Sequence, residues 1–363
     1  MIRTVTLERF KTFHSQTFEL APLTMLSGIN SMGKSSFIQA LLMMWEATRA
    51  AGSMGEIRTL SLKGNYYSLG TAADALFCDA EEDSFRIAIQ NDDSGIATIE
   101  ADCSSQTVAE LPCEVTAQNG QHLAGTGKDC QFHYLCADRL GPQLALANPP
   151  MSESGMGKSG EFIGHFLLQN ENKKVIEALR HPRAVSDGLK YQLEAWLDII
   201  SPGTRILVEN HSDINQTSLR FEFQGDKLTI GPFKAINVGF GISHVLPVLA
   251  AVLSSKPGDL IIVDSPESHL HPRGQSMVAQ LMSMAASAGI QIIVETHSDH
   301  ILNGMRISVK TGIIQPELCA FLFFDRSNGA TTVDNIKIDQ HGRIEDWPEG
   351  FFDEWDNSLL KLL

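Results

Sequence analysis

Residues 28–35, Gly-Ile-Asn-Ser-Met-Gly-Lys-Ser, satisfy the pattern GxxxxGK[ST] in full. An apolar strand-like stretch precedes them and a helical pattern follows, which is the context this motif needs. Gly28 and Gly33 let backbone N–H groups turn toward a phosphate, and the N-terminus of the following helix adds partial positive charge. Lys34 is placed to bridge the β- and γ-phosphates of a nucleoside triphosphate. The Ser35 hydroxyl is placed to ligate Mg²⁺. A second Gly-Lys-Ser, within residues 155–159, has Ser152 where the first glycine belongs and no strand before it.

The second chemical stretch is "LIIVDSPESHLHP", residues 260–272. Four apolar residues run into Asp264, as a buried strand does when it delivers a carboxylate to a nucleotide's metal. The next residue is Ser265, where a glutamate that activates water is usual in such sites. A serine hydroxyl is far too weakly basic for that role near neutral pH. Glu267 is the nearest carboxylate along the chain, and His297 and Glu295 are the other candidates. His297 follows the apolar run of "IIVETHSD" and so belongs at the C-terminal edge of a sheet, where α/β proteins bind ligands. His269, His271, His297 and His300 also have spacings seen in metal sites, but no cysteine accompanies them.

The elements that must position these groups are legible as patterns. Residues 2–9 and 17–27 alternate apolar and polar as strands do. Phe37, Leu41, Met44 and Thr48 share one helical face. Short strands fall in 56–136, at "NYYSLG", "SFRIAIQ", "GIATIEA" and "QFHYLCA". Residues 143–160 are loop-like, 161–200 helical, and 204–234 strands again. After that, helix and strand alternate: "GISHVLPVLAAVLSS", "LIIVD", "GQSMVAQLMSMAASAG", "IQIIVETHSD". Such alternation predicts a mainly parallel α/β core. There are no repeats and no heptad run, so a long coiled-coil arm is not expected.

Composition narrows the functional classes. Lys plus Arg number 28 and Asp plus Glu 43, a formal net charge of −15, which does not attract nucleic acid in general. The six cysteines form no CxxC pair and are expected as reduced thiols in a cytoplasm. No run of 18 apolar residues is present to span a membrane, and the start of the chain has no apolar signal core.

These motifs resemble the ABC-type ATPase heads of the SMC, RecF and OLD superfamily. The resemblance rests on "LERFKTF" followed by "GINSMGKSSFIQAL", on "NVGFGISHVLPVLAAVL" at 237–253 as the signature segment, on "VDSPESHLHPRGQ" as Walker B with D-loop, and on "ETHSDHILNGMR" as the switch-histidine loop. Within that group the ending "DWPEGFFDEW", 346–355, is similar to short bacterial ATPases without a Toprim nuclease. The resemblance implies an α/β P-loop NTPase head with a mixed sheet, and a helical and β-strand lobe inserted between Walker A and the signature. Residues 1–142 and 236–363 would form the ATPase lobe and 143–235 the insert.

The resemblance further implies that Gly28, Asn30, Ser31, Gly33, Lys34, Ser35 and Ser36 hold the triphosphate. Ser35 and Asp264 would hold Mg²⁺. Lys34, Asp264 and His297 would be catalytic, and, because Ser265 departs from the family's pattern, Glu267 or His297 is expected to orient the water. Gly239, Gly241 and Ser243 would face the γ-phosphate of a partner subunit's ATP, with Ser268 to His271 in the D-loop at that interface. Gly239 occupies the usual serine position of the signature, and Ser265 that of the catalytic glutamate. The expectation is a cytoplasmic, slowly hydrolysing Mg-ATPase that forms a homodimer or higher even-numbered oligomer. It would regulate a separate effector, such as a nuclease, in bacterial anti-phage defence. A DNA-repair clamp is the alternative that a salt-sensitive DNA gel shift would reveal. A non-hydrolysing ATP-binding scaffold is the other.

Overall fold

The computed structural model describes residues 1–54, 57–93, 95–117, 130–150, 155–327 and 330–362. Parts of the expected strand region 56–136, and residues 151–154 of the expected loop with Ser152, lie outside them.

The chain opens with a hairpin, β1 (Ile2–Phe10) and β2 (Phe13–Glu19), then enters β3 (Leu23–Gly28) and α1 (Lys34–Met54). Next come β4 (Thr59–Ser61), the short α2 (Ala72–Ala75), β5 (Ser84–Asn91), β6 (Ile96–Asp102), β7 (Glu110–Ala117) and β8 (Phe132–Leu135). The middle of the chain holds β9 (Leu146–Ala147), α3 (Ile163–Asn170), α4 (Leu189–Ile200), β10 (Thr204–His211), β11 (Gln216–Gln224) and β12 (Thr229–Lys234). The last third holds α5 (Phe240–Ser254), β13 (Leu260–Asp264), α6 (Pro272–Ser287), β14 (Gln291–Glu295), α7 (Asp299–Lys310), β15 (Cys319–Ser327), β16 (Ala330–Ile336) and α8 (Glu354–Leu362).

Among the described residues the strands form three sheets. An antiparallel sheet runs β2-β1-β5-β6-β7-β4, and a smaller one runs β10-β11-β12 with β9 beside β11. The core sheet runs β16-β15-β3-β14-β13-β8, parallel except for β16 at one edge. Its strands are apolar without alternation because both faces are covered. Ile261, Val263, Ile292 and Val294 face a core shared with α5 and α6, while Leu260, Ile262 and Ile293 face one shared with α1 and the first sheet. Residues of α3, α4 and β11 join the first of these cores.

The alternation expected of the last third is present, and the sheet is mixed as expected. Three sequence expectations are corrected. Residues 17–27 are two strands, broken at Leu20–Pro22, where the Thr24 hydroxyl accepts from the Ala21 amide and donates to the Ala21 carbonyl. "NYYSLG" is a turn over α1, whose Glu46 carboxylate accepts the amides of Asn65 and Tyr66. Residues 161–200 are not continuously helical. The polar segment after Asn170, with Pro182 and Gly188, folds back instead, and Val175 and Leu189 donate to the carbonyls of Asp187 and Lys173. Among the described residues no helix is long and apolar enough to cross a membrane.

Candidate nucleotide site

The sheet register builds the site. In the paired strands Asp264 lies level with Glu295, and Glu295 with Leu26, two residues before Gly28. β14 therefore sits between the strand that leads into the Gly-rich loop and the strand that ends in Asp264. The loop, both carboxylates and the 296–298 turn all emerge at one C-terminal edge, the place where parallel sheets present ligands.

Gly28 and Gly33 have φ of +128° and +100°. A Cβ on Gly28 would lie 2.0 Å from the Phe324 carbonyl oxygen, and one on Gly33 would lie 2.6 Å from the Phe13 ring. Only glycine fits either position. Ser31 also has positive φ, and Asn30, Ser31 and Ser35 are exposed on the loop and first helical turn. Ser36 lies half-buried beside them.

Lys34 is 5% exposed, and its ammonium donates to the carbonyls of Gly28 at 2.7 Å and Ile29 at 3.0 Å. Its third neighbour is the Glu295 carboxylate, 3.6 Å away. Burial lowers the Lys34 pKa, and the attraction of Glu295 only partly offsets this. The lysine is folded back on its own loop, and a phosphate would replace those carbonyls as its partner.

Glu295 is the hub. The ring Nε2 of His297 lies 3.2 Å from its Oε1, and the Ser265 hydroxyl lies 3.4 Å from its Oε2. The same hydroxyl donates to Asp264 Oδ1 at 3.0 Å. Burial, followed by the adjoining Glu295 carboxylate, pushes Asp264 up to about 7. Burial also pushes on Glu295, but its hydrogen bonds with His297 and Asp264, with Lys34 close by, outweigh it and hold Glu295 below its ordinary value. Asp264 therefore holds its proton more tightly than an ordinary carboxyl does, and Glu295 less tightly. Glu267 approaches from another side. Its Oε1 accepts the His297 backbone amide at 3.1 Å, and burial raises its pKa.

Asp264 and the Ser35 hydroxyl are hard oxygen donors, which suit Mg²⁺. A divalent cation would also offset the burial and the neighbouring carboxylate that raise Asp264, so the donor set fits the ion.

Two residues of the site carry no complete sequence signal. Glu295 stood only as a further candidate for water activation, since an acid at a strand end has no motif of its own. Arg139 belongs to no motif. Its guanidinium is buried and donates to the carbonyls of Cys136, His244, Asp264 and Ser265, and burial lowers its pKa.

The segment 239–244 forms a separate surface with the loop after β13. Gly239 and Phe240 are exposed, and a Cβ on Gly239 would meet nothing within 4 Å. Gly241 is tight: a Cβ there would lie 2.5 Å from the His269 carbonyl oxygen. The Phe240 ring packs on His244 and His269 at centroid distances of 4.7 and 4.6 Å. Ser243 Oγ is buried without a hydrogen-bond partner. The four histidines of the metal alternative do not converge. His269 goes to Phe240, His271 caps α6, His297 meets Glu295 and His300 lies 3.8 Å from Asp299. The second Gly-Lys-Ser is a surface turn whose Lys158 donates to the Asn65 carbonyl.

The fold is that of Smc head domains. The chain aligns with a crystal structure of an Smc head bound to the C-winged helix domain of ScpA, with a TM-score of 0.55 and 13% identity over 93% of this chain and 98% of that one. It also aligns with a Pyrococcus furiosus Smc head with an extended coiled coil bound to the C-terminal domain of ScpA, with a TM-score of 0.53 and 12% identity over 99% of both chains. Residues 165–303 match the family described as "AAA domain, putative AbiEii toxin, Type IV TA system", and residues 314–362 match "Protein of unknown function (DUF3696)". No curated protein matches the chain.

Proposed function

We propose that the protein is a cytoplasmic Mg-ATPase whose two copies close around ATP, hydrolyse it slowly, and in the closed state regulate a separate effector such as a nuclease in bacterial anti-phage defence. The observation that carries the ATPase is the cluster of Lys34, Asp264, Glu295 and His297 at the mouth of the Gly-rich loop. The loop amides and Lys34 bind the β- and γ-phosphates, and Ser35 and Asp264 hold the metal. Bound Mg²⁺ would supply charge to the developing transition state.

Glu295 takes the role of general base: a buried, ionised carboxylate with His297 on it accepts a proton from water. Glu267 fastens the loop that carries His297. Ser265 orients the two acids by hydrogen bonds and takes no proton. A base that is also tied to His297 and Asp264 is poorly free to act, which supports turnover at or below the low end of the enzymatic range of about 1–10³ per second. Slow cleavage suits a switch, because the closed dimer then persists.

Gly239 opens the second half of the site to the partner copy and is exposed as that role requires. Gly241, packed on the His269 carbonyl, and Ser243, whose Oγ is buried, shape that segment from behind instead of reaching the partner's ATP as the sequence suggested. The toxin description of the matched AAA domain is compatible with a defence role, and the solved Smc heads are themselves bound to another protein. Light scattering of the purified chain with and without a non-hydrolysable Mg-ATP analogue tests the closure. A strict monomer at saturating nucleotide refutes it.

A further inference from the structure

The surface beside the Gly-rich loop is finished by the C-terminal tail. A cavity of about 580 Å³ is lined by Ile29, His297, Phe352, Glu354 and Trp355 among others. Its rim is apolar and open: Ile29 is 56% and Trp355 68% exposed, and Leu359 and Leu360 of α8 are exposed with them. The tail is also acidic. Residues 345–355, "EDWPEGFFDEW", contain five acids and no base.

A second unpartnered apolar surface leads into the segment 239–244. Every residue of β12 is exposed, although it contains Ile230 and Phe233. Leu228, Ile236 and Phe240 continue the exposed apolar set on either side of it. This ridge has the opposite charge: residues 227–240, "KLTIGPFKAINVGF", contain Lys227 and Lys234 and no acid. In a chain of net charge −15, an acidic tail is repelled by most of another copy's surface and attracted by such a ridge.

We infer that the acidic, Trp355-bearing tail of each copy docks on the β12 ridge of a second copy of this chain, so that the tail walls off the nucleotide site from the outside when two copies close. The inference rests on the two-copy closure proposed above and adds the surfaces that hold it. In that closure the loop of one copy faces the Gly239 segment of the other. The tail flanks the former and the ridge flanks the latter, and the contact is made twice by two-fold symmetry. Apolar side chains would form its centre, and Lys227 and Lys234 would meet Glu349 and Glu354 at its rim.

Charge reversal in two separate chains tests it. One variant carries Lys227→Glu and Lys234→Glu, the other Glu349→Lys and Glu354→Lys. With a non-hydrolysable Mg-ATP analogue, sedimentation should show each variant alone self-associating about tenfold or more weakly than the native chain, because like charges face each other. An equimolar mixture should recover the native dimer, since both contacts then pair opposite charges. That recovery also shows that both variants are folded. If each variant alone dimerises as the native chain does, the inference is overturned while the closure stands. If neither associates and the mixture does not recover, the tail serves its own chain or another protein, and the inference is equally overturned. If the native chain stays monomeric with nucleotide, the closure itself fails, and the docking with it.

Discussion

Replacing Glu295 by Gln keeps the shape of the hub and removes its charge. The variant retains an oxygen that can accept from His297, so the 3.2 Å contact survives and the loop need not move. What disappears is the base. General-base assistance is worth about 10²–10⁴-fold, that is about 2.7–5.5 kcal/mol of barrier. The loss of the ion pair to Lys34 should cost little in binding. Lys34 keeps the Gly28 and Ile29 carbonyls as hydrogen-bond partners, and the phosphates that replace them supply more charge than the carboxylate 3.6 Å away. Glu295→Gln should therefore lower phosphate release by two to four decades, while ATP affinity by calorimetry shifts by about tenfold at most. Glu267→Gln should be mild, since its retained carbonyl oxygen still accepts the His297 amide and one neutral hydrogen bond is worth about tenfold. Ser265→Ala should change little. Turnover of Glu295→Gln within about threefold of native would refute the assignment, and so would a collapse of Glu267→Gln with Glu295→Gln intact.

Four further outcomes are expected. Lys34→Ala should abolish most ATP affinity in calorimetry, as it deletes the charge the loop aims at the phosphates. Gly239→Asp should block nucleotide-dependent dimerisation without disturbing its own chain, because a side chain there meets nothing, and scattering with unchanged thermal melting would show both; melting lowered as far as in Gly241→Asp, which collides with His269, would contradict the difference in space. Gly28→Ala should destabilise the fold by about 1–3 kcal/mol in denaturant titration, through positive φ and overlap with the Phe324 carbonyl. The fourth concerns protons. Asp264 is raised, so its contribution to metal-free stability is complete below the ordinary carboxylate pKa and is lost as pH rises through about 7. Mg²⁺ must displace that proton, so calorimetry in buffers of different ionisation enthalpy should find up to about one proton released per site near pH 6 and almost none well above pH 8. Asp264→Asn should abolish the release.

Much of this molecule could be read from the sequence, for identifiable reasons. Residues 28–35 announce themselves because glycines with positive φ, a lysine and a hydroxyl are each required at fixed spacing. β13 and β14 were legible because a strand buried on both faces is a short apolar run with a polar end. The boundary between β2 and β3 was hidden, since Leu20, Ala21 and Pro22 continue an apolar pattern while the backbone turns. The fold-back after Asn170 was hidden because its neighbours on both sides are helical. Glu295 and Arg139 owe their roles to register and to carbonyls that converge in space, neither of which leaves a pattern along the chain.

Arg139 joins groups that lie far apart along the chain. One planar guanidinium grips the carbonyls that end β13 and, through His244, the first turns of α5. Such a fork tolerates little sliding of one partner against the other. The strand end that carries Asp264 and the helix that begins at the exposed Gly239 surface are therefore held by one bracket. In the proposed two-copy closure, pressure on Phe240 would reach Asp264 through this one side chain, without any segment having to unfold. The same bracket works in reverse: a change in charge at the strand end is felt as a displacement at the outer face. A protein built this way can report the state of its nucleotide to a neighbour through a motion no larger than the give of four hydrogen bonds.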